Sequence, residues 1–168
     1  MGQVLDIRRT MNYHNERAVI VTAERLPENM PQMHAKIDRI EEELRKGELL
    51  DLPVKHYFSH GVYAREMFIP KGTIVTGKIH KYQNLNIMSK GELSVLTEAG
   101  VVRIRAPFTV VSPPGTRRVA YAHADTIWIT IHGTEEQDLE RIEDHFIAQT
   151  LEDYQAFSCL LEEKRSLP

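Results

Sequence analysis

Apolar residues recur with the period of a helix near the start of the chain, between about residues 32 and 46. Positions i, i+4, i+7 and i+11 form one apolar stripe there: Met33, Ile37, Ile40 and Leu44. Charged residues lie largely off this stripe, and Gly47 is a typical helix stop. We therefore predict an amphipathic helix that packs on its own domain or on a second copy of the chain.

The pattern changes between Leu52 and His132 to short runs rich in β-branched and aromatic residues. Glycine, proline and other turn-forming residues separate these runs at spacings of about 8–12 residues. Such a series is typical of an all-β sandwich or barrel, and because no helical pattern intervenes, it does not favour a parallel sheet. The predicted strands cover residues 62–69, 73–81, 85–88, 93–96, 101–105, 109–111, 118–121 and 126–131.

The helical period returns after residue 133 and predicts two more helices. Thr134 with Gln137 has the spacing of a capping box, and Thr150 with Asp153 has the same spacing one helix later. The chain therefore divides into an N-terminal arm and helix (1–50), a strand-rich region (51–133) and a C-terminal helical segment (134–168). The predicted apolar faces of the two helices are Leu139, Ile142, Phe146 and Ile147, and then Leu151, Tyr154, Phe157, Leu160 and Leu161.

The amino-acid composition excludes several classes of protein. The 168 residues are 42% hydrophobic and 27% charged, which excludes a disordered or collagen-like chain. No run approaches the roughly 20 apolar residues of a membrane span, and the N-terminus lacks the apolar core of a secretory signal. The net charge of −3 does not favour nucleic acid as a partner. The single cysteine, Cys159, cannot form an internal disulfide, so we expect a cytoplasmic protein; apolar neighbours predict a buried, inert thiol.

Two motifs bounded by glycine or proline lie in the strand-rich region. In the first, five residues separate Gly72 from Lys78, and His80 follows after one more residue. Three further residues lead to Asn84, and six lead from there to Gly91. Glycines at strand ends are typical of tight turns that need a positive φ angle.

The second motif begins at Pro107, which five residues separate from Pro113. Gly115 follows two positions later, and Arg118 stands after two intervening residues. Three more residues lead to Ala122. Proline cannot donate to a ladder of backbone hydrogen bonds, so this proline-rich turn belongs at a strand margin.

The spacing of both motifs resembles that of the cupin family over roughly residues 62–132. The resemblance implies a mainly β fold: a cupin-like, double-stranded antiparallel β-barrel, or jelly roll, here with an N-terminal helix and C-terminal helices. The chain is also similar to small cupin-like proteins of phage and prophage genomes. Because the edge strands of such a barrel need covering, we expect a homodimer.

Typical cupins bind a divalent metal through two histidines and a glutamate of the first motif and one histidine of the second. The matching positions here hold Lys78, His80, Asn84 and Arg118, and only His80 is a good ligand. A protonated lysine and an arginine repel a cation. We therefore expect the inherited metal site to be degenerate and no cofactor to be bound.

A rebuilt site is the basis of an alternative function, a metal-dependent cupin enzyme. In that interpretation a divalent metal is held by His80 together with His123 or His132. His56 and His60 are further candidates, although their neighbours favour a strand or turn over the helix that their spacing would suit. No motif in the chain identifies a nucleophile or a reaction, so the question of catalysis stays open.

The replacements at the metal positions favour a different ligand. On the resemblance these side chains point into the barrel, and strand alternation adds Thr76, Asn86 and Met88 to the same cavity. Lysine and arginine bind carboxylates and phosphates through charge-assisted hydrogen bonds. We therefore predict that a small anionic molecule binds in a polar, cationic cavity. The predicted ligand-binding residues are Lys78, His80, Asn84, Asn86 and Arg118.

A third interpretation is a structural or interaction protein with a solid barrel. In that case Lys78 and Arg118 pair with acids such as Glu66 or Glu92, and the helices carry the binding. A cavity inside the barrel distinguishes the first two interpretations from this one.

Overall fold

The computed structural model describes residues 30–97 and 100–166. Helix α1, Met30–Leu44, precedes the strands, and two helices follow most of them: α2, Leu139–Phe146, and α3, Leu151–Ser166. The predicted N-terminal arm up to residue 29 lies outside the described residues. The strands are β1 Val54–Ser59, β2 Val62–Ile69, β3 Ile74–Thr76, β4 Ile79–His80, β5 Asn84–Lys90, β6 Glu92–Thr97, β7 Gly100–Arg105, β8 Phe108–Ser112, β9 Val119–Ala122, β10 Thr126–Gly133 and β11 Ile147–Ala148.

Two antiparallel sheets form the barrel. One has five strands in the order β1-β2-β10-β5-β8, and the other has four in the order β3-β9-β6-β7. A short pairing of β4 with β11 connects the end of α2 to the barrel. The predicted mainly β, jelly-roll architecture with helices at both ends is confirmed. Strand β1 was not predicted, and the predicted strand 73–81 is divided into β3 and β4.

Apolar side chains from both sheets fill one end of the barrel. Ile69 and Met88 from the five-stranded sheet are 1% and 0% exposed, and they cluster with residues of the other sheet. Trp128 is partly buried against the same cluster. Removal of such apolar side chains from water is the main stabilising contribution to the folding of a domain. The four-stranded sheet contributes Leu93, Val95, Ile104, Ala120 and Ala122.

Helix α1 packs across the turn that follows β8. Ile37 is fully buried, and the Nε2–H group of His34 donates to the carbonyl oxygen of Gly115 at 3.1 Å. Burial lowers the pKa of His34, which favours the neutral form of its imidazole. The buried face is therefore rotated from the predicted apolar stripe, of which Met33, Ile40 and Leu44 are only partly buried.

The predicted capping box of Thr134 and Gln137 is wrong, because α2 begins later, at Leu139. Asp138 is the N-cap, and its carboxylate accepts the backbone N–H groups two and three residues onward, at 2.9 and 3.2 Å. The carboxylate of Glu136 accepts the N–H groups of the two residues before the helix, which holds that segment outside it.

Helix α3 begins with the capping box that the sequence predicts. The N–H of Thr150 donates to Asp153 Oδ2 at 3.0 Å, and the N–H of Asp153 donates to Thr150 Oγ1 at 3.1 Å. The prediction of a buried Cys159 is wrong, since this residue is exposed. Only Tyr154, at 2% exposed, is buried on this helix among the residues whose burial is described, and Leu160 is 57% exposed.

No helix within the described ranges is long and apolar enough to cross a lipid bilayer.

Candidate ligand-binding site

A cavity of about 280 Å³ lies inside the barrel, between the two sheets and beneath α2. Alternate residues of each strand face it, as strand geometry requires. It is lined by all five residues that the sequence predicts as ligand-binding: Lys78, His80, Asn84, Asn86 and Arg118. Thr76 lines it too, whereas Met88 is fully buried in the core.

The register of the five-stranded sheet arranges the inward side chains in levels. Met67 of β2 is opposite Trp128 of β10 at the apolar end, and Arg65 is opposite Thr130 one level further along. The next level pairs Tyr63 with His132. The guanidinium of Arg65 therefore lies between an apolar level and the level of Tyr63 and His132, next to which α2 packs.

Asn86 is the centre of a buried hydrogen-bond network. Its Nδ2 donates to Asn84 Oδ1 at 2.7 Å and to Ser112 Oγ at 2.8 Å. Its Oδ1 accepts from Thr130 Oγ1 at 2.9 Å and from Trp128 Nε1 at 3.2 Å. These bonds use the full hydrogen-bonding capacity of the amide. Asn86 therefore fixes the wall of the cavity and has no polar atom left for a ligand.

Arg118 projects into the cavity from the segment that leads into β9. Its Nη1 donates to Ser112 Oγ at 2.7 Å. Burial lowers the pKa of Arg118 to about 10, which still leaves the guanidinium protonated at neutral pH. No carboxylate lies within 4 Å of it among residues 30–97 and 100–166. The side chain is thus a charged donor that borders an internal space.

A second guanidinium, that of Arg65, lines the same cavity and was not predicted. Its Nη1 lies 3.9 Å from the sulfur of Met67, and no salt bridge to it is formed within the described part of the chain. The signal for it is present in β2, where Arg65 shares its side of the strand with Tyr63, Met67 and Ile69. Three apolar or aromatic residues of one parity identify the inward face.

Lys78 and Arg117 have opposite charges beside them. Lys78, whose side chain is 56% exposed, forms an ion pair with Glu143 of α2. Arg117 binds two carboxylates of α1, Asp38 at 2.5 Å and Glu41 at 2.8 Å. Both cations are therefore compensated by acids of this chain, although both also line the cavity. Neither of the acids that the sequence offered for Lys78, Glu66 or Glu92, is its partner; these pair with other residues.

His80 and His132 form a pair of neutral imidazoles on the cavity wall. Burial, followed by the charge of His132 and of the neighbouring cations, lowers the pKa of His80 to about 3. Burial and His145 lower the pKa of His132 to about 4. The Nδ1 atom of each ring is buried with no hydrogen-bond partner. At neutral pH neither ring adds positive charge to the site.

The remaining candidate histidines are dispersed. His123 bonds to Ser94 Oγ at 2.7 Å and does not line the cavity. His60, 97% exposed, contacts Glu135 at 3.0 Å. His56 does line the cavity, where its Nδ1 is 2.8 Å from the hydroxyl of Tyr63.

The donor set does not fit a divalent cation. Three of the four family positions hold Lys78, Asn84 and Arg118, and a protonated guanidinium or ammonium has no lone pair to give. The described residues contain no group of three or more histidines, cysteines or acids placed to share a metal ion. His80 and His132 are brought together, but His123 is not.

The two antiparallel sheets with a cavity between them form the jelly-roll barrel that the resemblance to cupins implied. The fold is cupin-like. No protein-family model and no curated protein matches the sequence. Many solved structures do match it, and all of those reported below are under 20% identical to it.

A cupin superfamily protein from Desulfitobacterium hafniense is 10% identical, over 53% of this chain and 83% of its own, with a TM-score of 0.44. KdgF from a Halomonas species is 15% identical, over 55% and 92%, with a TM-score of 0.44. An RmlC-like cupin from Shewanella frigidimarina is 19% identical, over 55% and 88%, with a TM-score of 0.41. Each of these matches covers slightly more than half of this chain and 83–92% of the other chain.

Proposed function

We propose that this protein binds a small molecule carrying a carboxylate or phosphate group inside its cupin-like barrel. The observation that carries the proposal is the pair of guanidinium groups, Arg65 and Arg118, that face the cavity without an acid within reach among the described residues. Removing such a charge from water without a partner costs folding free energy, as the lowered pKa of Arg118 reflects. An anionic ligand offsets that cost and gains charge-assisted hydrogen bonds.

The charged side chains around the cavity have an excess of positive charge that one anionic group can neutralise. Lys78 is compensated by Glu143, and Arg117 is compensated twice by α1, as described above. The two imidazoles of the wall are neutral at physiological pH. The excess positive charge therefore comes from Arg65 and Arg118 alone, and its sign favours a monoanion or dianion.

The size of the cavity favours binding over a solid scaffold. A volume of about 280 Å³ is close to the lower end of the range of about 300–1,000 Å³ that small-molecule pockets occupy. A structural barrel would fill this space with side chains, because protein interiors are packed to the density of organic crystals. The metal-dependent alternative receives no support from the donor set, and we do not propose it.

Isothermal titration calorimetry with small carboxylates and phosphomonoesters tests the proposal. Arg118→Gln is expected to weaken binding by roughly 10–100-fold, since it removes a charged hydrogen bond of about 1.5–3 kcal/mol. Arg65→Gln is expected to weaken it as well. Arg105→Gln is the matched control, because Arg105 is exposed and pairs with Glu92. Equal affinities in all three variants, or no binding by the unaltered protein, would overturn the proposal.

A further inference from the structure

We infer that the anion bound in this cavity carries a compact apolar body and few hydroxyl groups. This inference rests on the proposed function, because it concerns the rest of the same ligand. It follows from what surrounds the two guanidinium groups on either side, and from how the polar groups of the wall are already engaged.

On one side of the guanidinium groups the cavity ends in apolar residues. Met67 lies one level beyond Arg65 on β2, and Trp128 is opposite Met67 on β10. The four-stranded sheet faces them with further apolar lining residues: Val75, Leu93, Val95 and Ala120. A ligand whose charged group meets the arginines extends its remaining atoms against this surface. Apolar atoms gain free energy there in proportion to the area that they remove from water.

On the other side the cavity is covered by helix α2. Ile142 and Phe146 are 4% and 6% exposed, and they cluster with Tyr63. The ring of Phe146 also stacks on His132, with centroids 4.2 Å apart. The space around the guanidinium groups thus meets apolar side chains at both ends, and the charges that α2 brings to the cavity wall, those of Glu143 and its partner Lys78, neutralise each other.

The amide and hydroxyl side chains of the zone around the guanidinium groups are bonded to one another or to the backbone, whereas the Nδ1 atoms of His80 and His132 have no hydrogen-bond partner. Asn86 makes four hydrogen bonds within the wall, and Asn84 Nδ2 donates to the carbonyl of Tyr82 at 3.3 Å. Ser112 Oγ accepts from both Asn86 and Arg118.

Two further hydroxyls on the wall are engaged in the same way. Thr116 Oγ1 donates to the carbonyl of Pro113 at 2.6 Å, and the hydroxyl of Tyr63 bonds to His56. A polyhydroxylated ligand would bury hydroxyls that find few partners, and each unmade hydrogen bond opposes binding.

Titration of two matched six-carbon acids tests this inference by calorimetry. Hexanoate and gluconate have the same chain length and charge, but gluconate carries five hydroxyl groups. Hexanoate is expected to bind at least roughly tenfold more tightly, since even one methylene in an apolar pocket is worth about that factor. Hexyl phosphate and sorbitol 6-phosphate form the equivalent pair for a phosphate head group. Hexanamide, which is uncharged, is expected not to bind.

The outcomes separate this inference from the proposed function. Tighter binding of the hexyl compounds, lost in Arg118→Gln, supports both. Equal or tighter binding of gluconate or sorbitol 6-phosphate, also lost in Arg118→Gln, overturns the apolar body and leaves the anion site intact. Absence of binding by all four anions overturns both.

A near-isosteric variant gives an independent test of the apolar surface. Val95 lines the cavity and is 7% exposed, and Val95→Thr replaces one methyl group by a hydroxyl. We expect it to weaken hexanoate binding roughly fivefold or more and to leave inorganic phosphate binding unchanged. Val101→Thr is the control, since Val101 is 70% exposed. Unchanged hexanoate affinity in a folded Val95→Thr protein contradicts the inference, and the hexanoate–gluconate comparison decides it if that variant does not fold.

Discussion

His80 and His132 stack inside the barrel with ring centroids 5.2 Å apart and ring planes inclined by 21°. One ring comes from the short strand β4 and the other from the central strand β10. Two imidazolium ions could not share this position, because burial and mutual repulsion both oppose their charge. The pair therefore stays neutral beside Arg118, so the charge of the cavity does not change over the physiological pH range.

This neutrality predicts a loss of stability in mild acid. A histidine whose pKa is depressed on folding binds more protons in the unfolded chain, so stability falls as the pH drops from about 6.5 towards the folded value. The folded pKa of His80 is about 3, through burial and then the charges of His132, Arg118, Arg65 and Lys78. The folded pKa of His132 is about 4, through burial and then the charge of His145. Lowering the pH from about 7.5 to about 5 should reduce the free energy of unfolding by about 2 kcal/mol for each of the two rings.

Urea unfolding at those two pH values measures this effect. The lower limit of about pH 5 avoids carboxylates such as Glu41, whose lowered pKa places their contribution at more acidic pH. Substitution of His132 by Gln should remove the contribution of one ring, about 2 kcal/mol, from the difference between the two pH values. The same unfolding free energy at both would show that the imidazoles are not held neutral by burial.

The barrel could be predicted from the sequence because its signals are local. Turn residues mark the strand ends, and alternation assigns faces within each strand, as in β2, whose predicted and observed limits coincide. The start of α2 could not be predicted in this way, since Asp138 and Thr134 compete for the role of N-cap. Only the tertiary position of the segment decides between them.

The sequence predicted which of the motif residues line the cavity, but it did not predict which of their charges are paired with acids. Spacing placed Lys78 and Arg118 together, yet it could not show that Lys78 meets Glu143, which lies 65 residues away in the chain. Arg65 was missed because it belongs to no motif, although its parity in β2 indicated an inward position. The homodimer and the cytoplasmic location stay predictions, since a single chain tests neither.

Asn86 is expected to be one of the most sensitive positions for stability. Asn86→Ala removes four hydrogen bonds, those to Trp128 Nε1, Thr130 Oγ1, Ser112 Oγ and Asn84 Oδ1. At about 1 kcal/mol for each lost bond, the unfolding free energy should fall by about 4 kcal/mol. Asn84→Ala is the comparison, because its side chain makes only two such bonds and should cost less. Equal costs for the two variants would mean that water replaces the Asn86 amide.

Gly91 and Gly72 provide a matched pair for backbone strain. Both have positive φ angles, 102° and 86°, but a Cβ atom at Gly91 would lie 2.6 Å from the Cα of Thr126, whereas nothing is within 4 Å at Gly72. Gly72→Ala should cost only about 1 kcal/mol for the left-handed backbone. Gly91→Ala should cost at least about 1 kcal/mol more, because β5 and β10 must separate. Thermal unfolding of the two variants measures the difference, and a larger loss for Gly72→Ala would contradict it.

Lys78 is expected to contribute little to anion binding, in contrast to Arg118. Its side chain is 56% exposed and already paired with Glu143, and exposed ion pairs are worth about 0–1 kcal/mol. Lys78→Ala should therefore lower the affinity for a bound carboxylate by less than roughly fivefold. Titration of hexanoate into this variant and into Arg118→Gln gives the comparison. A loss in Lys78→Ala as large as that in Arg118→Gln would show that the lysine leaves Glu143 to bind the anion.

The pH dependence of anion binding should show the loss of the proton from Arg118. Because burial lowers the pKa of Arg118 to about 10, the free protein loses this charge above that pH. Affinity for hexanoate should be constant between about pH 7 and pH 9 and fall about tenfold for each further pH unit above 10. Calorimetry is best done in Lys78→Ala, which removes the other motif cation from the comparison, with circular dichroism to confirm that the fold persists. A constant affinity up to about pH 11 would mean that Arg118 keeps its proton there and that burial does not lower its pKa to about 10.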